Sequence, residues 1–257
     1  MARYDFATHR LFVSPPLGEG ALVPLEAGQM NYLLNVLRMD EGAKLLVFNG
    51  RDGEWLAEIV KPTRKTAVLK LLQHMRVQTR PGVIRYAFAP LKVGRLDYMV
   101  QKAVEMGAAR LAPVITQRTQ QRNLKPDKLL ANAVEAAEQC GILTLPEIEP
   151  EKRLDTFLAA LGKEELLVFA DEDADIADPV AALKAAGGRG AASITVLVGP
   201  EGGFTEEERR SILDHPALCR LSLGPRILRA DTAAVAALAL AQAVLGDWRS
   251  QNHLPDK

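Results

Sequence analysis

The sequence predicts an α/β protein in which a small β-rich module precedes a larger domain built on a parallel sheet. Over the first eighty residues, short β-rich runs are separated by turn signals. Beyond them, apolar strand-like runs alternate with helix-like runs, which is typical of a parallel sheet covered on both faces. A chain of 257 residues is long enough for both parts. We therefore predict domains at 1–77 and 82–250, with "QTRPG" (78–82) as the linker.

The N-terminal module begins with a predicted strand, "RLFV", at 10–13. Residues 26–42 carry apolar side chains at helical spacing. Three β-rich runs follow and are separated by turn dipeptides such as Asn49-Gly50. Short strands joined by tight turns favour a compact barrel over an open sheet. The three β-rich runs are "KLLVFNG", "GEWLAEIV" and "TAVLKLL".

The second domain consists of alternating predicted strands and helices. The last helix is apolar nearly all round, so it must be buried, either within its own chain or against a second copy. The predicted strands are "IRYAFAPLK", "RLAPVIT", "ELLVFADE", "SITVLVG" and "CRLSLG". The predicted helices are "GRLDYMVQKAVEMG", "KPDKLLANAVEAAEQCG", "DPVAALKAAGG", "TEEERRSILDH" and "DTAAVAALALAQAVLGDW".

Composition indicates a soluble cytoplasmic protein. Apolar residues make up 48% of the chain and charged residues 25%, as in ordinary globular proteins. Cys140 and Cys219 match no metal or disulfide spacing, and the four histidines are scattered, so we expect no metal. The start lacks the apolar segment of a signal peptide. The longest apolar run is broken by Gln242 and too short to span a membrane.

Charge is divided unevenly along the chain. Residues 1–130 hold 20 Lys and Arg against 11 Asp and Glu, whereas residues 131–257 hold 12 against 21. The basic part suggests contact with a polyanion, although an uneven division can also reflect only solvated faces.

The stretch "TVLVGPEGGFTEEE" (195–208) combines a strand, a glycine turn and a helix start. Thr205 is the predicted N-cap, and Glu208 completes a capping box. Such a turn normally cradles phosphate, but Pro200 removes a backbone donor and the nearby glutamates repel anions. A second strand end, "LGPRILRADT", also has a glycine, a proline and polar residues before a helix.

Two such turns in consecutive units predict one shared ligand site beyond the carboxyl ends of the strands. Glycines let a flat ligand approach the backbone closely, and acidic neighbours tolerate a cation. S-adenosylmethionine, with its adenosine and sulfonium, fits these requirements. The alternative is that both are ordinary strand-to-helix turns.

The motifs "LVGPEGGFTEEE" and "LGPRILRADTA" together resemble the paired signature of the RsmE family. These are 16S ribosomal RNA uridine-N3 methyltransferases of the trefoil-knotted SPOUT class. Further matches are "NYLLNVLRMDEG" and "VFNGRDGEW" in the PUA-like β-barrel, and "KVGRLDYMVQKAVEMGAARLAPVITQRT" and "EAAEQCGILTLPEI" in the middle of the chain. The resemblance implies a homodimer, a C-terminal knot, S-adenosylmethionine as cofactor and 16S rRNA in the small ribosomal subunit as substrate.

The resemblance, the chemistry of methyl transfer and the distribution of basic residues together give roles to individual residues. Arg226 and Arg229 are the predicted catalytic residues that bind RNA phosphate or uracil oxygens. Asp231 is the third, to orient an arginine or accept the N3 proton, unless it caps the last helix. The predicted cofactor residues are Leu197, Gly199, Glu201, Gly202, Gly203, Leu223, Gly224, Ile227 and Leu228. The predicted RNA-binding residues are Arg10, Arg38, Arg64, Lys65, Arg118 and Arg122, with Arg76 and Arg80 as further phosphate contacts.

Three positions depart from the family pattern. Asn31 stands where His is usual, and Asp231 replaces Glu. Ile142 stands where an arginine commonly follows "EQxG". Two other functions stay open: methylation of another rRNA or tRNA nucleotide, and RNA binding without catalysis.

Overall fold

The computed structural model describes residues 8–60, 66–175, 178–188 and 193–249. The chain divides into two compact units. The first runs to Arg80 and also takes in Ala137–Leu145, and the second comprises Pro81–Ala136 and Pro146–Gln251. Residues 137–145 lie far along the sequence from the β-rich runs of the first eighty residues. The sequence patterns therefore did not assign them to this unit.

The first unit contains a five-stranded sheet in the order β1-β3-β4-β5-β2. β1 pairs with β3 in parallel, and the other pairs are antiparallel. The four strands predicted here are confirmed, and β2 is an addition to them. The strands are β1 (Arg10–Phe12), β2 (Leu22–Pro24), β3 (Lys44–Phe48), β4 (Glu54–Val60) and β5 (Val68–Arg76).

The sheet of the first unit curves around a core of its own. Leu11 of β1 and Val23 of β2, at opposite ends of the strand order, belong to one buried cluster. Leu45, Ile59 and Leu69 of the central strands complete that cluster. Because both end strands share one core, the small sheet forms a half-barrel.

The helical segment of this unit differs from a regular α-helix. It begins as α1 (Ala27–Asn31) and continues as a π-helix over Tyr32–Val36. The amide of Leu37 donates to the carbonyl of Tyr32 at 2.9 Å, one residue farther back than in an α-helix. Arg38, in the left-handed region at φ 55°, follows the segment. Apolar spacing indicated a helix here but could not reveal the wider turn.

The second unit is built on a parallel sheet in the order β12-β10-β11-β6-β7-β8, with β9 pairing β7. The predicted strands are confirmed as β6 (Ile84–Phe88), β7 (Arg110–Ile115), β10 (Leu166–Ala170), β11 (Ile194–Val198) and β12 (Leu218–Leu221). The predicted helices are confirmed as α2 (Arg95–Glu105), α3 (Pro126–Cys140), α5 (Pro179–Gly187), α6 (Glu206–Leu213) and α7 (Ala230–Val244). The sequence patterns missed β8 (Glu147–Ile148), β9 (Lys152–Arg153) and α4 (Leu154–Ala160).

Helices cover both faces of this sheet. On one face, Met99 of α2, Leu183 of α5 and Leu238 of α7 lie in one buried cluster. On the other face, Phe157 of α4 and Ile212 of α6 lie in a second. The doubly covered parallel sheet is therefore confirmed, whereas the knot implied by the resemblance stays a prediction.

The last helix, α7, is buried along one side by its own chain. Ala234, Ala237 and Ala241 are at most 1% exposed. The amide nitrogen of buried Gln242 donates to the carbonyl of Met106 at 2.8 Å, so this polar side chain is satisfied within the apolar helix. Within the described ranges, no helix is both long and apolar enough to cross a membrane.

Candidate active site

The strand order places three loops of the second unit together. β12, β10 and β11 are neighbours, so the loops at their carboxyl ends meet at one edge of the sheet. They surround a cavity of about 740 Å³. We call them the glycine loop (199–204, after β11), the arginine loop (222–229, after β12) and the acidic loop (171–173, after β10).

The glycine loop is a tight turn that needs two of its three glycines, Gly199 and Gly203. A Cβ atom on Gly199 would lie 2.5 Å from the ring of Phe204, too close for any side chain. Gly203 adopts φ +67°, and its amide donates to the carbonyl of Pro200 at 2.9 Å. The capping box between Thr205 and Glu208 starts α6 as predicted. The loop thus turns directly from strand to helix with its backbone open to the cavity.

The arginine loop presents two exposed guanidinium groups. Gly224, at φ +95°, allows the turn, and Arg226 and Arg229 both line the cavity. Arg229 is also the N-cap residue of α7, but its side chain makes no capping hydrogen bond. Neither guanidinium has a hydrogen-bonding or ionic partner within the described ranges, so both remain available to a ligand.

Asp231 lies in the first turn of α7, beside the cavity without lining it. Its carboxylate accepts a hydrogen bond from the amide of Thr232 at 2.8 Å. The N-cap is Arg229, so neither Asp231 nor Thr232 occupies the capping position. The carboxylate instead places negative charge near the positive end of the helix dipole, which stabilises α7.

Asp231 also influences a buried tyrosine. Tyr86 of β6 is 1% exposed, and its hydroxyl donates to the sulfur of Met99 at 3.1 Å. Burial raises the pKa of Tyr86 far above its ordinary value, and the negative charge of Asp231 adds to that effect. The phenol therefore stays protonated beneath the site.

The acidic loop is fixed by two arginines. Asp171 is buried, and Arg209 and Arg220 donate to its carboxylate at 2.9 and 2.7 Å. Burial alone would raise the pKa of Asp171, but hydrogen bonds from Arg209 and Arg220 hold it below the ordinary value of 3.8. The carboxylate is thus ionised at neutral pH. Sequence reasoning missed this network, although the run "ADED" directly after an apolar strand was a signal for it.

The cavity lining combines apolar surface with charges of both signs. Acidic side chains lie on the glycine and acidic loops, and the basic ones include Arg226 and Arg229. Seven of the nine predicted cofactor residues line it: Gly199, Glu201, Gly203, Leu223, Gly224, Ile227 and Leu228.

Leu197 and Gly202 are placed differently from the expectation. Leu197 is fully buried, and its side chain packs in the cluster formed with α4 and α6. A Cβ on Gly202 would point towards Arg118 at 3.5 Å. Neither residue lines the cavity. Leu197 faces away from it because alternate residues of a strand point to opposite sides of the sheet. Gly202 instead faces the turn that carries Arg118.

Five of the six predicted RNA contacts fall into three groups. Arg38 and Arg122 are exposed, as phosphate contacts require. Arg118 is exposed as well, but its guanidinium donates to the carbonyl of Gly202 at 2.6 Å. Arg64 and Lys65 lie outside the described residues. Among the further phosphate candidates, Arg80 is exposed.

Arg10 was predicted to contact RNA, but its side chain is buried in the first unit. Its side chain is 3% exposed and donates to Glu54 at 2.9 Å. Arg76 binds both oxygens of the same carboxylate at 2.7 Å and the carbonyl of Gly141 at 2.9 Å. Because a buried carboxylate needs such partners, these two arginines hold the first unit together.

Comparison with known proteins agrees with this architecture. Residues 78–242 match the model of an RNA methyltransferase domain, and residues 25–72 match that of an RNA methyltransferase PUA domain. The ribosomal RNA small subunit methyltransferase E of Rickettsia conorii is 29% identical, covering 90% of this chain and 93% of the relative. That of Synechocystis is 30% identical, covering 92% and 78%.

Solved structures of similar proteins carry a ligand. A protein of Legionella pneumophila described as a methyltransferase, solved with S-adenosylmethionine, has 30% identity and a TM-score of 0.80, covering 93% of this chain and 99% of that protein. The Neisseria gonorrhoeae ribosomal RNA small subunit methyltransferase E, also bound to S-adenosylmethionine, has 27% identity and a TM-score of 0.78, covering 94% and 99%. Because the RNA methyltransferase model spans more than half of the sequence, this chain belongs to the RNA methyltransferase family that contains the ribosomal RNA small subunit methyltransferases E.

Proposed function

We propose that this chain transfers a methyl group from S-adenosylmethionine to N3 of a uridine in 16S ribosomal RNA. The observation that carries the proposal is the convergence of the glycine and arginine loops on one cavity, in a chain of this family. The same cavity presents backbone for a cofactor and, for a substrate, two arginines that have no partner in the described part of the chain.

The residues present suit S-adenosylmethionine. A cavity of about 740 Å³ is in the size range of small-molecule sites. Gly203 and Gly224 bring bare backbone to its wall, which suits a flat adenine ring. Glu201 and the acidic loop favour a positively charged ligand over a phosphate.

The cofactor supplies an electrophilic methyl group on a positively charged sulfur. The chain holds the uracil so that N3 points at the place where the methyl group is delivered, and this alignment removes much of the barrier. Loss of the N3 proton leaves negative charge on the uracil ring. We assign the stabilisation of that charge to Arg226 and Arg229, because both line the cavity and neither has an ionic or hydrogen-bonding partner among the residues that the structure describes.

We assign Asp231 a positioning role. Its carboxylate is engaged by the amide of Thr232 and does not line the cavity. We infer that it stabilises the first turn of α7, which begins directly after Arg229, and that the N3 proton passes to solvent.

The proposed substrate is the rRNA of the small subunit, modified in the cytoplasm by a homodimer. Basic charge is concentrated in residues 1–130, and Arg38 and Arg122 are exposed to meet phosphates. A uridine inside folded RNA must be splayed out to enter the cavity. The apolar α7, only one side of which is buried by its own chain, supports pairing with a second copy.

Labelled methyl transfer tests the proposal. The protein and methyl-labelled S-adenosylmethionine are incubated with small subunits, large subunits or tRNA from a strain lacking the gene. We expect label only in the small subunit. Label in another RNA would indicate a different target, and no label with no stabilisation by S-adenosylhomocysteine would indicate an RNA-binding protein without catalysis.

A further inference from the structure

Arg118, in the turn after β7, lines the cavity and contacts the glycine loop. Its guanidinium donates to the carbonyl of Gly202 at 2.6 Å. Its aliphatic part lies across the same residue, because a Cβ on Gly202 would meet Arg118 Cδ at 3.5 Å and Cβ at 3.8 Å. A charged donor on a backbone carbonyl makes one of the stronger hydrogen bonds in proteins.

The turn that carries Arg118 is itself held in place. The amide of Thr116 donates to the hydroxyl of Thr119 at 2.9 Å, and both threonines are buried. The amide of Gln117 donates to one oxygen of Glu208 at 2.7 Å. The other oxygen of Glu208 accepts the amide of Thr205 at 3.0 Å. The turn is thus anchored to the first turn of α6, directly after the glycine loop.

A second arginine binds Glu201, the residue of the glycine loop that precedes Gly202. Arg95, at the start of α2, forms an ion pair with Glu201. Two adjacent residues of the loop, Glu201 and Gly202, are therefore bound by arginines from two other elements. A segment with three glycines among six residues has high backbone freedom when nothing holds it.

We propose that Arg118 is a positioning residue of the cofactor site, which fixes the glycine loop in its ligand-binding shape. The inference rests on the proposed function. A loop already fixed loses less conformational entropy when a ligand binds. Arg118 thus acts on cofactor affinity through Gly202, whereas the exposed Arg122 acts on RNA.

Calorimetry with S-adenosylhomocysteine tests this role in five proteins: the wild type, Arg118→Ala, Arg118→Met, Arg118→Lys and Arg122→Ala. We expect Arg118→Ala and Arg118→Met to weaken binding about 10-fold, since both lose the hydrogen bond. Met keeps the aliphatic part, so it separates packing from hydrogen bonding. Lys keeps a donor and is expected to restore most of the affinity.

Melting temperatures and RNA kinetics complete the design. We expect all four variants to melt close to the wild type, because Arg118 and Arg122 are both exposed. We expect Arg122→Ala to keep the wild-type cofactor Kd and to raise the KM for small subunits.

Three outcomes would overturn the assignment of Arg118. Arg118→Ala could bind S-adenosylhomocysteine as tightly as the wild type, Arg118→Met could keep full affinity, or every Arg118 variant could lose stability and affinity together. If the wild type itself did not bind S-adenosylhomocysteine, the proposed function would fail first, so the two failures are distinguishable.

Discussion

At the scale of residues, pairing with a carboxylate of the protein distinguishes the structural arginines from those that can bind a ligand. Arg10 and Arg76 share the carboxylate of Glu54, and Arg209 binds Asp171. Arg226 and Arg229 line the cavity with no such partner in the part of the chain that the structure describes. We therefore expect substitution of Arg226 or Arg229 to affect activity, whereas substitution of a paired arginine affects stability.

Arg229→Ala should reduce methyl transfer about 100-fold, the usual effect of removing a donor from a developing negative charge. The melting temperature should hardly change, because the Arg229 side chain makes no capping hydrogen bond. Single-turnover assays with saturating S-adenosylmethionine measure the rate. Arg210→Ala, at an exposed position of α6, is the control for loss of a surface charge. Full activity of Arg229→Ala would remove it from the catalytic residues.

Asp171→Asn should lower the free energy of unfolding by about 2 kcal/mol at neutral pH, because two arginine hydrogen bonds lose a charged acceptor. The folded-state pKa of Asp171 is below its ordinary value of 3.8. Its stabilising contribution is therefore present above that pH and lost as the pH falls through the folded pKa. The difference between wild type and Asp171→Asn should shrink accordingly in urea unfolding at acidic pH.

Asp173→Asn is the matched control for that experiment. Asp173 is 68% exposed and 3.6 Å from Arg209, so its replacement should cost less than about 0.5 kcal/mol. Equal losses for Asp171→Asn and Asp173→Asn would contradict the importance of the buried network.

The sequence could predict local chemistry at the site but not partners distant in the chain. Gly199, Gly203 and Gly224 were predictable because the turns that need them lie within a few residues of each glycine. The burial of Arg10 depends on Glu54, 44 positions away. The contact of Arg118 with Gly202 joins two loops 84 positions apart. No local pattern separates these arginines from solvated ones.

At the scale of elements, the glycine loop shows that two adjacent glycines serve different purposes. Gly203 has a positive φ and lines the cavity, whereas Gly202 faces Arg118 and does not. Of these two glycines, Gly203 is required by its backbone conformation, whereas Gly202 has space for a methyl group.

Gly203→Ala should weaken S-adenosylhomocysteine binding about 10-fold, because a Cβ strains the left-handed backbone by roughly 1–2 kcal/mol. That Cβ would also lie 3.2 Å from Glu172. Gly202→Ala should bind nearly as tightly as the wild type, since its Cβ makes only ordinary contacts. Calorimetry on both variants measures the difference, and the opposite order of affinities would refute this description of the loop.

Strands and helices with long, regular patterns were predictable, and short ones were not. β11 and α7 carry continuous apolar runs that only a buried element explains. β8 and β9 have two residues each, so no periodicity exists to detect them. The π-helix at Tyr32–Val36 has the composition of an α-helix and differs only in hydrogen bonding.

At the scale of the whole molecule, the arrangement of the strands creates the site. β11 and β12 are separated by α6 in the chain but lie on either side of β10 in the sheet. Their loops and the acidic loop therefore meet, although they come from three different βα connections. The sequence pattern predicted a shared site at these strand ends; the neighbouring position of β10, and with it Asp171, required the folded structure.

We propose that this protein uses its cavity to methylate N3 of a uridine in small-subunit rRNA. The most direct test uses small ribosomal subunits from a strain lacking the gene, incubated with the protein and S-adenosylmethionine. The rRNA is then digested to nucleosides and analysed by mass spectrometry, with the Arg229→Ala protein in parallel. We expect N3-methyluridine to appear with the wild type and to be nearly absent with Arg229→Ala. Absence of N3-methyluridine with a wild-type protein that binds the cofactor would contradict the proposed substrate.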